Sequence, residues 1–170
     1  MMLCGRRPTL VLAILVLAAA VPFPAFALVP DDALKLSQAA LGRTVGDYTF
    51  RNTKGQPVSL NDFRGKPLVV NFIYTSCSQS CPVIVNTLAD TVEVAWDAIG
   101  DDGFNVITIG FDVANDLPER MRLFQRKQGV NYDNWTFLSG DLPDVLGLAN
   151  DLGFQFAKSA QGFDHLDQVS

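Results

Sequence analysis

Two cysteines four residues apart stand at the end of a strongly apolar run, Val69-Val70-Asn71-Phe72-Ile73-Tyr74-Thr75-Ser76-Cys77-Ser78-Gln79-Ser80-Cys81-Pro82. A thiolate is both a nucleophile and a soft ligand, so the pair has two chemistries open to it: disulfide exchange, or ligation of a thiophilic metal ion. The β-branched and aromatic run reads as a strand buried on both faces, and Pro82 is preorganised for the first position of a helix. This places Cys81 at the helix N-cap and Cys77 one loop earlier. Unpaired backbone N–H groups and the positive end of the helix dipole meet there, so a thiolate is stabilised and its pKa falls.

His165, in Gly162-Phe163-Asp164-His165-Leu166-Asp167, is the single histidine of the chain. A lone histidine in a polar loop is more often a solvated surface residue than a ligand. Two thiols in want of a third donor add weight to the ligand reading. A Cys₂His set is soft and suits Cu(I), a hard ion would want carboxylates, and zinc would need a fourth donor or a water. Asp112 follows a second apolar strand and reads equally as a strand-end cap or as part of a site, whereas Asp116 reads as a helix N-cap.

The elements that must position these residues follow from periodicity. Asp31 to Arg43 forms a short helix with Leu34, Gln38 and Leu41 on one packing face, stopped at Gly42. Tyr48-Thr49-Phe50 and Pro57-Val58-Ser59-Leu60 flank a glycine-bearing turn and form a hairpin. After Pro82, Ile84, Leu88, Val92 and Ala95 give a helix whose apolar face continues through Trp96 to a stop at Gly100. Phe104 to Phe111 is a second buried strand. Pro118 and Glu119 then open a helix with Leu117, Met121 and Phe124 inward, ending at Gly129. Trp135 to Leu138 is a third strand, and Asp141 caps a helix carrying Leu142, Val145, Leu146, Ala149 and Leu152, closed by Gly153. This alternation predicts an α/β sheet with helices on both faces behind a hairpin. Ligands of such sheets collect beyond the carboxyl ends of the strands, where Cys77 and Asp112 both fall.

Arg6 and Arg7, the apolar run of 12 residues from 10 to 21, and Ala25-Phe26-Ala27 have the form of an export signal cut after Ala27. The run is short of the roughly 20 residues that span a bilayer, so an uncut anchor is the weaker alternative. Residues 1–27 hold two arginines and no acid, so the remaining charge is 11 − 18 = −7 over 170 − 27 = 143 residues. An acidic domain without a lysine-arginine stripe is a poor partner for nucleic acid and for an anionic membrane surface. Cys4 leaves with the signal. Cys77 and Cys81 remain, an even pair in a compartment that permits disulfides, and a structural disulfide is the plainer reading. Position argues against it, because a staple stabilises most when it closes a long loop and this one closes a very short one.

Gly65-Lys66-Pro67, the strand that follows, and Thr75-Ser76-Cys77-Ser78-Gln79-Ser80-Cys81-Pro82 together resemble the Sco/SenC family of thioredoxin-like proteins. The resemblance extends to Asp112 with Asp116 and to Phe163-Asp164-His165, and covers most of residues 44–168. It implies a thioredoxin-like mixed sheet flanked by helices over residues 44–170, with an N-terminal hairpin, after an extension over 28–43. It also implies an exported domain in the periplasm or at the outer face of the inner membrane, commonly with a membrane tether. Copper, preferentially Cu(I), would be held by Cys77, Cys81 and His165, with Asp112 supporting the ligands. The implied role is assembly of the copper centre of cytochrome c oxidase. The partner is its copper-acceptor subunit or another exported copper protein, which receives copper or has its cysteines reduced. Val113 and Leu166 stand where the family usually has proline and serine. Family members continue past the histidine into a strand, a turn and a terminal helix, so a sequence that stops at Ser170 is expected to be either a fragment or a natural truncation lacking those C-terminal elements. Residues 28–170 alone are expected to be marginally stable.

Three function classes follow. The Cys-x₃-Cys pair with a downstream histidine favours a metallochaperone, which is not an enzyme. An activated thiol would equally serve a thiol-disulfide oxidoreductase using Cys77 and Cys81, although redox exchangers carry Cys-x-x-Cys. A thiol peroxidase ranks last, because Thr75-Ser76-Cys77 is one residue shorter than the Thr-x-x-Cys of peroxiredoxins.

Overall fold

The computed structural model describes residues 30–100, 102–159 and 162–166. The export signal expected over residues 1–27 lies outside them. Among the described residues no helix is long and apolar enough to cross a membrane. The elements run α1 (Pro30–Ala40), β1 (Thr49–Asn52), β2 (Pro57–Ser59), a 3₁₀ turn (Leu60–Phe63), β3 (Leu68–Ile73) and α2 (Ser80–Ile99). They continue with β4 (Asn105–Gly110), α3 (Pro118–Gln128), β5 (Trp135–Gly140), α4 (Leu142–Leu152), β6 (Gln155–Ser159) and β7 (Gly162–Leu166).

The expected hairpin is β1–β2. Asn52 Oδ1 accepts from the N–H groups of Lys54 and Gln56 at 2.9 and 3.0 Å, and Gly55 supplies the left-handed φ of +79° that the turn requires. Five strands form one sheet in the order β2-β1-β5-β4-β3. β3, β4 and β5 are parallel, and β1 joins β5 antiparallel, so the sheet is mixed as expected. Ile73 pairs with Gly110 and Gly110 with Ser139, which brings the carboxyl ends of the three parallel strands level.

Two hydrophobic clusters fill the two faces. Ile73, Val106 and Phe137 pack with Val85 and Val92 of α2 and with Met121 and Phe124 of α3. On the opposite face Phe50, Ile107, Ile109 and Leu138 pack with Val145 and Leu148 of α4. Helices therefore cover both faces, as the alternation predicts. β6 and β7 form a separate two-stranded sheet held to the rest through aromatic rings: Phe154 stacks on Phe72 at 4.5 Å, and Phe111 lies 4.6 Å from Phe156 and 5.3 Å from Phe163.

Several expectations are corrected. β3 packs on both faces, with Ile73 in one cluster and Val70 and Phe72 against the other, but it is only partly buried, because among the described strands it lies at the sheet edge and Val69 stays 37% exposed. Leu34 and Leu41 of the first helical stretch are exposed, as are Leu117, Leu142 and Leu146. In α4 the buried positions are Val145, Leu148 and Ala149, so the face turned to the sheet runs through Leu148 rather than Leu142 and Leu146.

Candidate metal centre

β3 ends at Ile73, and the chain turns at once, with the Cys77 N–H donating to the Tyr74 carbonyl at 3.0 Å. α2 begins earlier than Pro82 suggests. Its N-cap is Gln79, so Cys81 is the second helical residue rather than the cap. Proline is tolerated anywhere in the first turn because those N–H groups lack helical partners, which is why it misplaced the start by two residues. The consequence reverses the roles of the cysteines. The Cys81 N–H, in the first turn of α2, donates to Cys77 Sγ at 3.3 Å, and Ser80 Oγ lies 3.2 Å from the same sulfur.

Cys77 is therefore the thiol that the helix N-terminus activates. Burial pushes it up, but hydrogen bonds from Ser80 and from the backbone of Cys81 and Gln79 outweigh burial and bring it down to about 6. Neither cysteine is in a disulfide; Cys77 is partly exposed, while Cys81 is buried on the core side of α2. Burial pushes the Tyr74 phenol up, as do its hydrogen bond to Cys77 and the nearby thiol charges. The Tyr74 ring sits 5.4 Å from that of Phe163, so β7 docks beside the start of the cysteine loop. His165 lies on β7 with its Cα opposite Phe156. Its side chain is outside the described residues, and among those described no three His, Cys, Asp or Glu side chains form a group that could hold a metal.

Asp112 stands after β4, one strand from the cysteine loop, as its position predicted. Among the described residues its carboxylate accepts from Asn115 Nδ2 at 2.7 Å, and no hydrogen bond joins it to either cysteine. Asp116 is not a helix cap, since Leu117 occupies that place in α3. It is buried, 1% exposed, and its carboxylate accepts from the Thr75 N–H and hydroxyl and from the Asp112 N–H. Burial pushes its carboxyl up, and those hydrogen bonds oppose the rise. Space for it comes from Gly110, where a Cβ would lie 2.4 Å from Asp116 Cβ. Ser80, Tyr74 and Thr75 were missed as working parts. Their only signal was the density of hydroxyl residues within the cysteine motif.

Two soft sulfur donors, one of them mostly ionised at neutral pH, fit a thiophilic ion such as Cu(I) and would suit an oxygen-seeking ion poorly.

A family model described as SCO1/SenC matches residues 37–169. Over 100 residues the chain is 31% identical to the SCO1 protein homolog of Bacillus subtilis, which covers 59% of this chain and 51% of that protein. The matched part thus spans about half the length of that relative. Among solved structures, BsSco, described as having a disulfide switch and as a member of the Sco family of cytochrome c oxidase assembly proteins, is 28% identical. It superposes with a TM-score of 0.56 over 64% of this chain and 63% of that one. The structure of Bradyrhizobium japonicum ScoI with copper bound shares the fold at 22% identity, with a TM-score of 0.61 over 72% of this chain and 79% of that one. With most of its length matched by that family model, and with the mixed sheet and the cysteine-bearing loop in the places described, the chain belongs to the SCO1/SenC family.

Proposed function

We propose that this protein is an exported metallochaperone that carries Cu(I) between Cys77, Cys81 and His165 and hands it to a copper-accepting protein, the copper subunit of cytochrome c oxidase being the expected recipient. The observation that carries this reading is the hydrogen-bonded thiol of Cys77, in the loop just before α2, beside the buried Cys81 in the first turn of that helix. Family membership supports it, as does the copper bound by a relative of the same fold. Copper is the cargo. The chain's own part is to keep one thiolate partly exposed and ionised, so that an incoming thiolate can replace its ligands one at a time. Because ligation requires deprotonated sulfur, affinity should weaken as pH falls through about 6, where Cys77 takes up its proton.

The test is an anaerobic Cu(I) titration of the reduced chain against a competing chelator, with Cys77→Ala, Cys81→Ala and His165→Ala alongside. One-to-one binding that is lost in both cysteine variants and weakened at least about tenfold in His165→Ala is expected. Weak binding by the parent, or undiminished binding by His165→Ala, would remove the three-ligand site.

The low pKa of Cys77 also favours a second reading, a thiol-disulfide oxidoreductase that reduces the cysteines of the acceptor. Its mark would be turnover of a disulfide substrate with a reductant that survives His165→Ala.

A further inference from the structure

Helix α3 departs from the charge of the rest of the chain. The sequence as a whole is net −5, yet α3 holds four cations, Arg120, Arg122, Arg126 and Lys127, against the single carboxylate of Glu119. Among the described residues Lys66 pairs with Asp102, whereas none of the four arginine and lysine side chains of α3 forms an ion pair with a described carboxylate. Arg120 and Lys127 are seven residues apart, which sets them about two turns from each other on one side of the helix, with Leu123 and Phe124 between them. That side faces the cysteine loop across a groove of about 180 Å³. Cys77 lines it from the loop, Pro82 from the first turn of α2, and Arg120, Leu123, Phe124 and Lys127 from α3. Phe124 is buried, whereas Leu123 is 50% exposed and offers apolar surface between the two cations.

We propose that this groove is the docking surface for an acidic, cysteine-bearing segment of the protein that receives the metal. Arg120 and Lys127 would engage carboxylates beside its cysteines, and Leu123 would cover its apolar side chains. The proposal rests on the copper-transfer reading and names the chemistry of its partner. Charge complementarity selects the occupant. The cysteines of such a segment take Cu(I) as thiolates, and a carrier of net negative charge repels an anion over most of its surface. A basic helix lining the approach to Cys77 reverses that sign where transfer must occur, which orients the encounter and raises its rate.

The test separates docking from metal chemistry. A fluorescent synthetic peptide with aspartate and glutamate flanking two serines, in place of the cysteines, is titrated into the reduced, metal-free full chain at low salt and read by anisotropy. Relative to the parent, Arg120→Glu with Lys127→Glu should weaken binding at least about tenfold. Arg122→Glu with Arg126→Glu, which changes the net charge equally but lies off the groove, should weaken it no more than about twofold. The same peptide with asparagine and glutamine flanks should bind the parent at least about tenfold more weakly. Docking at this groove is overturned if the acidic and amide peptides bind alike, or if the two charge-reversed pairs weaken binding equally. Neither outcome depends on copper, so a failed Cu(I) titration and a failed docking test are distinguishable.

Discussion

Thr75 and Asp116 are joined twice: the Thr75 N–H and hydroxyl both donate to Asp116 Oδ1, at 2.8 and 2.7 Å. The second carboxylate oxygen takes the Asp112 N–H at 2.9 Å. One buried carboxylate thus ties the loop that carries Cys77 to the loop after β4, and it sets where the first residues of the cysteine motif leave the sheet.

Removing that carboxylate should be costly. Asp116→Ala leaves three donors without an acceptor in a buried place, and an expected loss of about 3 kcal/mol or more follows from the usual penalty for such groups. Asp116→Asn keeps one acceptor and most of the volume, so about 1–2 kcal/mol is expected. Urea unfolding of the two variants checks both figures; a loss under about 1 kcal/mol for the alanine variant would show that the tie contributes little.

The same residue gives a pH dependence of definite sign. Burial holds the Asp116 carboxyl above its ordinary 3.8, so the folded protein binds that proton more readily than the unfolded chain does. Its contribution is fully present below the unfolded value and is lost as pH rises through the folded one. Asp151 acts in the opposite sense. Hydrogen bonds from the Gly46 N–H and the Tyr48 hydroxyl hold its carboxyl low, so what it contributes is lost on acidification. The stability difference between parent and Asp116→Asn should therefore shrink as pH rises from about 4, while that between parent and Asp151→Asn grows. Thermal melts across the acid range would show it, and parallel trends for the two variants would contradict the assignment.

Much of this was legible in the sequence, and the failures have physical causes. The strand into Cys77, the helix after it, the level strand ends and the hairpin with Gly55 all follow from periodicity and turn chemistry, which act locally. Asp116 could not be read that way. An aspartate two residues before a helix proline has the pattern of a cap, and only the neighbouring loop, 41 residues away in sequence, makes it a tie instead. The edge position of β3 is likewise set by sheet order, which local patterning does not encode. Pro82 reads locally as the first helical residue, which assigns the activated role to Cys81; the helix begins two residues earlier, and its first N–H groups meet the sulfur of Cys77.

Phe111 should govern whether the β6–β7 hairpin stays docked. Its ring lies 4.6–5.8 Å from those of Tyr74, Phe154, Phe156 and Phe163, and it is 2% exposed. Phe111→Ala should cost about 3–5 kcal/mol and Phe111→Leu less than half of that. Because the hairpin is held by rings rather than by strand pairing to β3, its amides should exchange faster in the alanine variant while those of β4 and β5 stay protected. Unchanged protection over residues 155–166 would show that something other than this cluster anchors it.

Ser80 should set the reactivity of Cys77. Burial raises that thiol, and the Ser80 hydroxyl is the largest of the groups that bring it from 9.0 down to about 6. Alkylation of the reduced parent by iodoacetamide should thus reach half its limiting rate at about pH 6, with Cys77 modified well before Cys81, which is 1% exposed. Ser80→Ala should move that midpoint upward, and Ser80→Thr, which keeps the hydroxyl, should restore much of the shift. Linkage gives a second readout. A thiol whose pKa is depressed by folding contributes stability that is present above its unfolded value and lost as pH falls through about 6. The parent should accordingly lose stability on going from pH 9 to pH 6, and Ser80→Ala should lose less. If the alanine variant keeps the parent's alkylation midpoint, the backbone N–H groups at the start of α2 suffice to hold the thiolate, and Ser80 serves only to fill the turn.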